Sequence, residues 1–120
     1  MIVNLTQHPA TKEQVAAGVF DLEGQALAYV KANLTFNDLP TKEEIVIRAD
    51  RIADIAADHR ADAAMIGGAP YLMAPLEAAL IARGIAPLYA FSERVSEEEA
   101  LADGTVRKVN VFRHVGFVEA

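Results

Sequence analysis

Cysteine is absent from this 120-residue chain. That absence excludes disulfides, thiolate metal sites and cysteine nucleophiles, and it leaves thiol usage silent on the redox compartment. Cations are scarce relative to acids: 11 Lys and Arg stand against 17 Asp and Glu, for a formal charge of −6. Sequence-independent binding of long nucleic acid depends on neutralising many phosphates. No long nucleic acid is therefore expected as a partner, although a local pocket can still hold a short anion. No apolar run approaches the roughly 20 residues of a membrane-spanning helix, and Met1-Ile-Val-Asn4 has neither the basic nor the apolar region of an export signal. A cytoplasmic protein with no membrane partner is expected. Repeats, low-complexity stretches and interdomain linkers are also missing. What is present is a chain that is 52% hydrophobic, enough for a small core in a single α/β domain over residues 1–120.

Local signals alternate between strand and helix. Residues 2–6 read as a first strand, and Thr11-Lys-Glu-Gln14 has the capping-box spacing that starts a short helix failing near Gly18. Val19-Phe-Asp-Leu22 reads as a short apolar connector, and residues 23–33 as a second helix with Leu27, Val30 and Leu34 on one stripe. The stretch from Leu34 to Pro40 breaks it. Thr41-Lys-Glu-Glu44 is another capping box, followed by Ile45, Ala49, Ile52, Ala53 and Ala56 at helical spacing to about His59, with Arg51 and Asp54 as a weak surface pair. The short apolar run Ala63-Ala-Met-Ile66 suits a buried parallel strand. A helix follows from Pro70 to Arg83, with Gly84 at the left-handed closing position and with Pro75 marking the start of its regular part. Pro87 to Phe91 is a third strand, Ser96-Glu-Glu-Glu99 caps one or two further helical turns, and Val106 to Phe112 is a fourth strand after the Asp103-Gly104 turn. The third-to-fourth connection is too short for a parallel crossover, so the fourth strand should be antiparallel. The expected architecture is a small three-layer α/β domain of about three parallel strands and one antiparallel strand.

Chemistry-bearing groups collect where these strands end. In an open α/β sheet the crevice beyond the carboxyl ends of the strands is where ligands bind. Thr6-Gln7-His8, Gly67-Gly68 and Ser92-Glu93-Arg94 would all lie there, and an antiparallel fourth strand starting at the same edge would add Thr105, Arg107 and Lys108. The paired glycines let a backbone approach a ligand, and the helix after them aims free N–H groups and a positive dipole end at the same place, which suits phosphate. Arg94 and Arg107 suit phosphate oxygens because a guanidinium binds two at once. Each group also has a plain structural reading: His8 as an exposed loop residue, Gly67-Gly68 as a tight turn, and the arginines as partners of Glu93 or of Glu97 to Glu99. There is no Walker loop and no Gly-x-Gly-x-x-Gly fingerprint. Ser92 lacks a nucleophile elbow, so it orients a ligand and does not attack one. His59 reads as a helix C-cap and His114 as a partly buried strand residue. No His-x-x-x-His spacing occurs, so no metal and no cofactor are expected.

Asn4-Leu-Thr-Gln-His-Pro-Ala-Thr11, the strand ending in Gly67-Gly68-Ala69-Pro70, and Leu88-Tyr-Ala-Phe-Ser-Glu-Arg94 together resemble the small single-domain proteins grouped with the CRISPR-associated ring nucleases of bacteria and their phages. The resemblance implies a Rossmann-like homodimer that binds cyclic oligoadenylate, cyclic tetra-adenylate foremost, and linearises it without metal, switching off type III CRISPR signalling. It carries over Thr6, Gln7, His8, Gly67, Gly68, Ser92 and Arg94. Cleavage of a phosphodiester by its own 2′-hydroxyl needs a proton-transfer group, and a histidine, ordinarily titrating at about 6.5, suits that role. His8 is thus the catalytic candidate with Thr6 beside it, and Thr6 and Gln7 orient ribose or base. Gly67, Gly68, Ser92, Arg94 and Arg107 hold the ligand. Ala- and Ile-rich helix faces supply the surface for a second copy. Two alternatives use the same residues differently: a sponge that sequesters the nucleotide without His8 chemistry, and a protein-interaction or inhibitor module acting through the apolar and acidic surface.

Overall fold

The computed structural model describes residues 1–120. It contains β1 (Ile2–Leu5), α1 (Lys12–Ala16), β2 (Val19–Asp21), α2 (Gly24–Leu34), α3 (Lys42–Asp58), β3 (Ala63–Ile66), α4 (Pro70–Ala82), β4 (Ala86–Ala100) and β5 (Val106–Glu119). All five strands form one sheet in the order β2-β1-β3-β4-β5. The first four run parallel, and β5 is antiparallel to β4. The Rossmann-like α/β class is as expected, with four parallel strands where three were counted. The addition is Val19–Asp21, which reads as a connector because three residues are too few to show alternation. It pairs with β1 from Ile2 opposite Val19 to Asn4 opposite Asp21.

Side chains alternate across a strand, and this sorts the sheet into two unequal faces. Val3 and Leu5 of β1 and Ala64 and Ile66 of β3 join Val30 and Leu34 of α2, Ala49, Ile52, Ala53 and Ala56 of α3, and Leu72, Leu76 and Leu80 of α4 in one buried cluster. Each fully buried Leu or Ile there contributes roughly 1.5–3 kcal/mol. Ala49, Ile52, Ala53 and Ala56 of α3 are consumed in this core, while Val46 and Ile47 of the same helix stay exposed. Asn4 and Met65 point to the opposite face, which carries only the five-residue α1. The third layer is therefore little more than one helical turn.

Helix starts follow the chain's own capping groups. Thr11 and Gln14 form the complete reciprocal box. Thr41 accepts from the Glu44 amide, but the Glu44 carboxylate pairs with Arg48 at 2.7 Å instead of closing its box. Asp54 pairs with Arg83, the C-cap of α4, at 2.9 Å, not with Arg51, which reaches Asn33 at 3.4 Å. α4 runs unbroken through Pro75. The carbonyl that this proline cannot serve belongs to Tyr71, an exposed first-turn residue, so continuity costs little.

The largest departure is at β4 and β5. Pairing of β3 with β4 stops at Met65–Leu88, while the β4–β5 ladder continues to Ala100–Val106. Beyond the sheet the two strands form a ribbon of roughly 35–40 Å at the usual rise per residue. The radius of gyration is 16.8 Å, against about 14 Å for a compact domain of this length. Ser96 to Glu99 is therefore strand and not helix. The capping signal there is overruled by cross-strand partners: Arg107 with Glu99 at 2.9 Å, Arg113 with Glu97 at 2.5 Å, and the Ser96 hydroxyl with Asn110 at 3.2 Å. Phe91, Phe112, Val115 and Val118 are exposed along the ribbon.

Tyr89 ties β4 to α4, its hydroxyl donating to Glu77 at 2.5 Å. Burial, reinforced by the Glu77 carboxylate, pushes its phenol up to about 12. The unfolded phenol titrates at about 10, so the folded state holds this proton more strongly. The stabilisation is complete below pH 10 and is lost as pH rises from about 10 to 12. In urea unfolding stepped through that range, Tyr89→Phe is expected to show a shallower loss of stability than the wild type. Equal slopes would refute the assignment.

Candidate functional site

The strand order reverses at β1. The chain leaves β1 for β2 on one side and returns from β2 to β3 on the other, and open sheets place their ligand crevice at such a switch point. A cavity of about 420 Å³ opens there, within the ordinary range for small-molecule sites. Its walls are Thr6 to Pro9 after β1, Met65 to Gly68 at the end of β3, Gln14 of α1 with its N-cap Thr11, and Ala90 of β4. A second cavity of about 350 Å³ shares Thr6, Gln7, His8 and Pro9 and continues to Asp21, Glu23, Leu27 and Lys31. The Thr6–Pro9 loop is thus a partition between two concave spaces.

A buried amide holds that partition in shape. Asn4 is 5% exposed. Its Nδ2 donates to the His8 carbonyl at 2.7 Å and to Asp21 Oδ1 at 2.8 Å. Its Oδ1 accepts from the Thr6 amide at 2.9 Å and the Thr6 hydroxyl at 2.7 Å. Asp21 also accepts from the Ala10 amide at 3.1 Å. Asn4 and Asp21 are functional-site residues that the motifs do not single out. A polar residue in the middle of a strand with an apolar residue on either side was the available signal. Thr6, expected beside the catalytic group, has its hydroxyl proton committed to Asn4, so its part is to lock the loop. Gln7 Nε2 donates to the Thr35 hydroxyl at 3.2 Å, linking the loop to the end of α2. His8 is the reverse case: its main chain is pinned, while its ring is exposed and makes no hydrogen bond.

Gly67 and Gly68 take the positions expected of them. Gly68 has φ +142°, a conformation that favours glycine; a Cβ there would meet Leu34 and Met73 only at an ordinary 3.8 Å, so the backbone and not the space sets the preference. A Cβ on Gly67 would lie 3.5 Å from the Thr6 methyl, an ordinary contact that narrows the crevice. Two residues later α4 begins with Pro70; this proline has no N–H and the Leu72 amide is bonded to the Ala69 carbonyl, so the end attracts anions chiefly through the helix dipole.

Three expected ligand groups are not brought to the crevice. Ala90 is the last β4 residue lining it. Ser92 lies two residues farther, opposite His114 just past a bulge. Arg94 is four residues beyond Ala90, roughly 13 Å along the strand, where it stacks over Phe112 at 5.6 Å. Arg107 sits near the ribbon tip, opposite Glu99 and paired with it. The reason is topological. β4 continues to Ala100 and carries Ser92 and Arg94 out along the ribbon, and the antiparallel β5 begins at the ribbon's far end, where Arg107 lies, not at the sheet edge. No group of three or more His, Asp or Glu side chains gathers to hold a metal ion, and no helix is long and apolar enough to cross a membrane. His59 caps α3, its Nδ1 2.9 Å from the Ile55 carbonyl oxygen, and His114 is partly buried against Phe117.

Residues 1–118 match the family described as Uncharacterized protein MJ1673 family. The chain belongs to that family. The matched span takes in the residues of both cavities and of the ribbon. No curated protein and no solved structure matches the chain.

Asn4→Ala is expected to lower unfolding free energy by about 3 kcal/mol, the upper end for leaving buried polar groups unpaired. Denaturant unfolding checks it. A change no larger than that of an ordinary surface substitution would show that the network does not hold the loop.

Proposed function

We propose that the switch-point crevice binds a phosphate-bearing nucleotide and that, following the resemblance in residues 4–11, 67–70 and 88–94, the nucleotide is a cyclic oligoadenylate which the protein linearises. The observation that carries this reading is the meeting in one cavity of His8, whose backbone is locked and whose imidazole is free, with the Gly67-Gly68 turn that opens α4. The crevice suits a compact anion held by main-chain amides and a helix dipole. In the reaction a ribose 2′-oxygen forms a bond to the adjacent phosphorus as the bond from phosphorus to the 5′-oxygen breaks. The 2′-hydroxyl loses its proton and the 5′-oxygen gains one, leaving a 2′,3′-cyclic phosphate and a 5′-hydroxyl. His8 serves as the proton-transfer group, and Gln7 orients ribose or base. In a cell the consequence would be the silencing of type III CRISPR signalling.

A homodimer remains part of this reading, with its surface moved from the helix faces to the ribbon. A two-stranded ribbon is marginal in water by itself, and exposed Phe91 and Phe112 give a second copy something to cover. Arg94, out of reach of its own crevice, is then available to a ligand from the partner side. Sedimentation at micromolar concentration should show a dimer that Phe112→Ser weakens. A stable wild-type monomer would remove this part of the reading.

His8→Ala is expected to leave fold and nucleotide affinity nearly intact while slowing cleavage of cyclic tetra-adenylate about a hundredfold or more, the usual contribution of a general acid or base. Chromatography of the products checks it. Equal turnover by both proteins would refute the mechanism, and a wild type that binds the ring yet returns it unchanged would be a sponge. A wild type whose thermal transition no nucleotide shifts would act instead through protein contacts.

A further inference from the structure

The second cavity has walls of a different character from the first. Glu23, Leu27 and Lys31 line it at intervals of four residues along one face of α2, so three successive turns present an acid, an apolar side chain and a base to the same space. Neither charge is used elsewhere in the fold. Glu23 occupies the N-cap position of α2 without making a side-chain capping bond, and neither Glu23 nor Lys31 takes part in any of the ion pairs. Doubly wound folds meet ribose hydroxyls with an acid at the end of their second strand. Here the acid that ends β2, Asp21, is occupied by Asn4 and the Ala10 amide, which leaves Glu23, two residues on, as the free carboxylate. The first cavity, by contrast, has no Lys or Arg in its walls. The two spaces touch only through the Thr6–Pro9 loop, and His8 belongs to both.

We infer that the second cavity is the other half of one extended site. It takes a further nucleotide of a phosphodiester-linked ligand, whose linking phosphate lies over the loop at His8. Lys31 binds the next phosphate along the chain, and Glu23 accepts a hydrogen bond from a ribose hydroxyl. This rests on the nucleotide reading of the first cavity and extends it from a single phosphate to a span of at least two units. Each cavity is of a size suited to one small unit rather than a whole ring. Lys31 is therefore a specificity residue: it distinguishes a linked ligand from a mononucleotide and leaves the mononucleotide's own contacts untouched.

The test compares adenosine 5′-monophosphate with linear tetra-deoxyadenylate, which lacks the attacking hydroxyl and cannot be cleaved by this chemistry, in titration calorimetry on the full chain. The wild type should bind the tetranucleotide more tightly by about tenfold or more, the low end for gaining a charge-assisted hydrogen bond. Lys31→Ala should abolish that advantage while leaving monophosphate affinity unchanged. Lys12→Ala, an exposed charge on α1 outside both cavities, should keep it, which separates local contact from a general loss of positive charge. In a His8→Ala background, where the ribose form persists, Glu23→Gln should weaken tetra-adenylate relative to its deoxy counterpart. If both probes bind the wild type equally, or if Lys31→Ala weakens both alike, the second cavity is not a subsite, and the first-cavity reading survives. If neither probe nor cyclic tetra-adenylate binds at all, the nucleotide reading fails and this inference falls with it.

Discussion

A primary amide offers two donors and two acceptor positions, and Asn4 fills all four inside the protein. Leaving such groups unpaired in the interior costs about 1–3 kcal/mol each, so the amide is tolerable only in a particular surrounding. β2 must lie beside β1 in the register that sets Asp21 opposite Asn4, and the chain after β1 must curl back so that the Thr6 amide and the His8 carbonyl reach the same side chain. One residue therefore couples sheet pairing to loop shape. The loop that results divides two cavities, with its main chain fixed and the His8 ring left free.

The rest of the site follows from how the sheet is covered. Helices α2, α3 and α4 share one face and the core beneath it, and the end of α2 meets the crevice through Leu34, which backs Gly68, and Thr35, which receives Gln7. The walls on that side are thus anchored in packed structure. On the opposite face, α1 leaves Met65 and Ala90 to line open space. Thin cover on one face and dense cover on the other turn a strand-order reversal into a crevice that a ligand can enter.

Much of this could be read from residue pattern alone. Capping residues and apolar periodicity located all four helices, since those signals act within one or two turns. The run Ala63–Ile66 followed by two glycines placed the second wall of the crevice, and Thr6-Gln7-His8 placed the first. The unread parts depended on partners distant in sequence. Val19–Asp21 is a strand because β1 lies beside it. Ser96 to Glu99 carries a sound helix-start signal, yet Arg107, Asn110 and Arg113 pair across from it and win. Arg94 falls in the crevice only if β4 ends near Phe91, and Arg107 only if the antiparallel strand begins at the sheet edge. The length of the ribbon, which local residues do not encode, carries them away. Asn4 and Asp21 were legible only as polar residues in apolar strands, and their meaning required the loop between them.

The charge of the chain sharpens what the crevice can accept. Arg48, Arg83, Arg107 and Arg113 are each committed to carboxylates, and with a formal charge of −6 the surface as a whole repels polyanions. For the proposed phosphate ligand, attraction at the first cavity rests on peptide groups, namely the Gly67-Gly68 main chain that lines it and the dipole of α4 behind it. Such a source amounts to about half an elementary charge and fades within the first helical turn. A long-range cationic field would draw in any nucleic acid at a distance, whereas a short-range one acts only on an anion already seated against the backbone. Fit therefore precedes attraction in this fold. An acidic protein can on that basis be selective for a small phosphate ester while remaining indifferent to the nucleic acid around it.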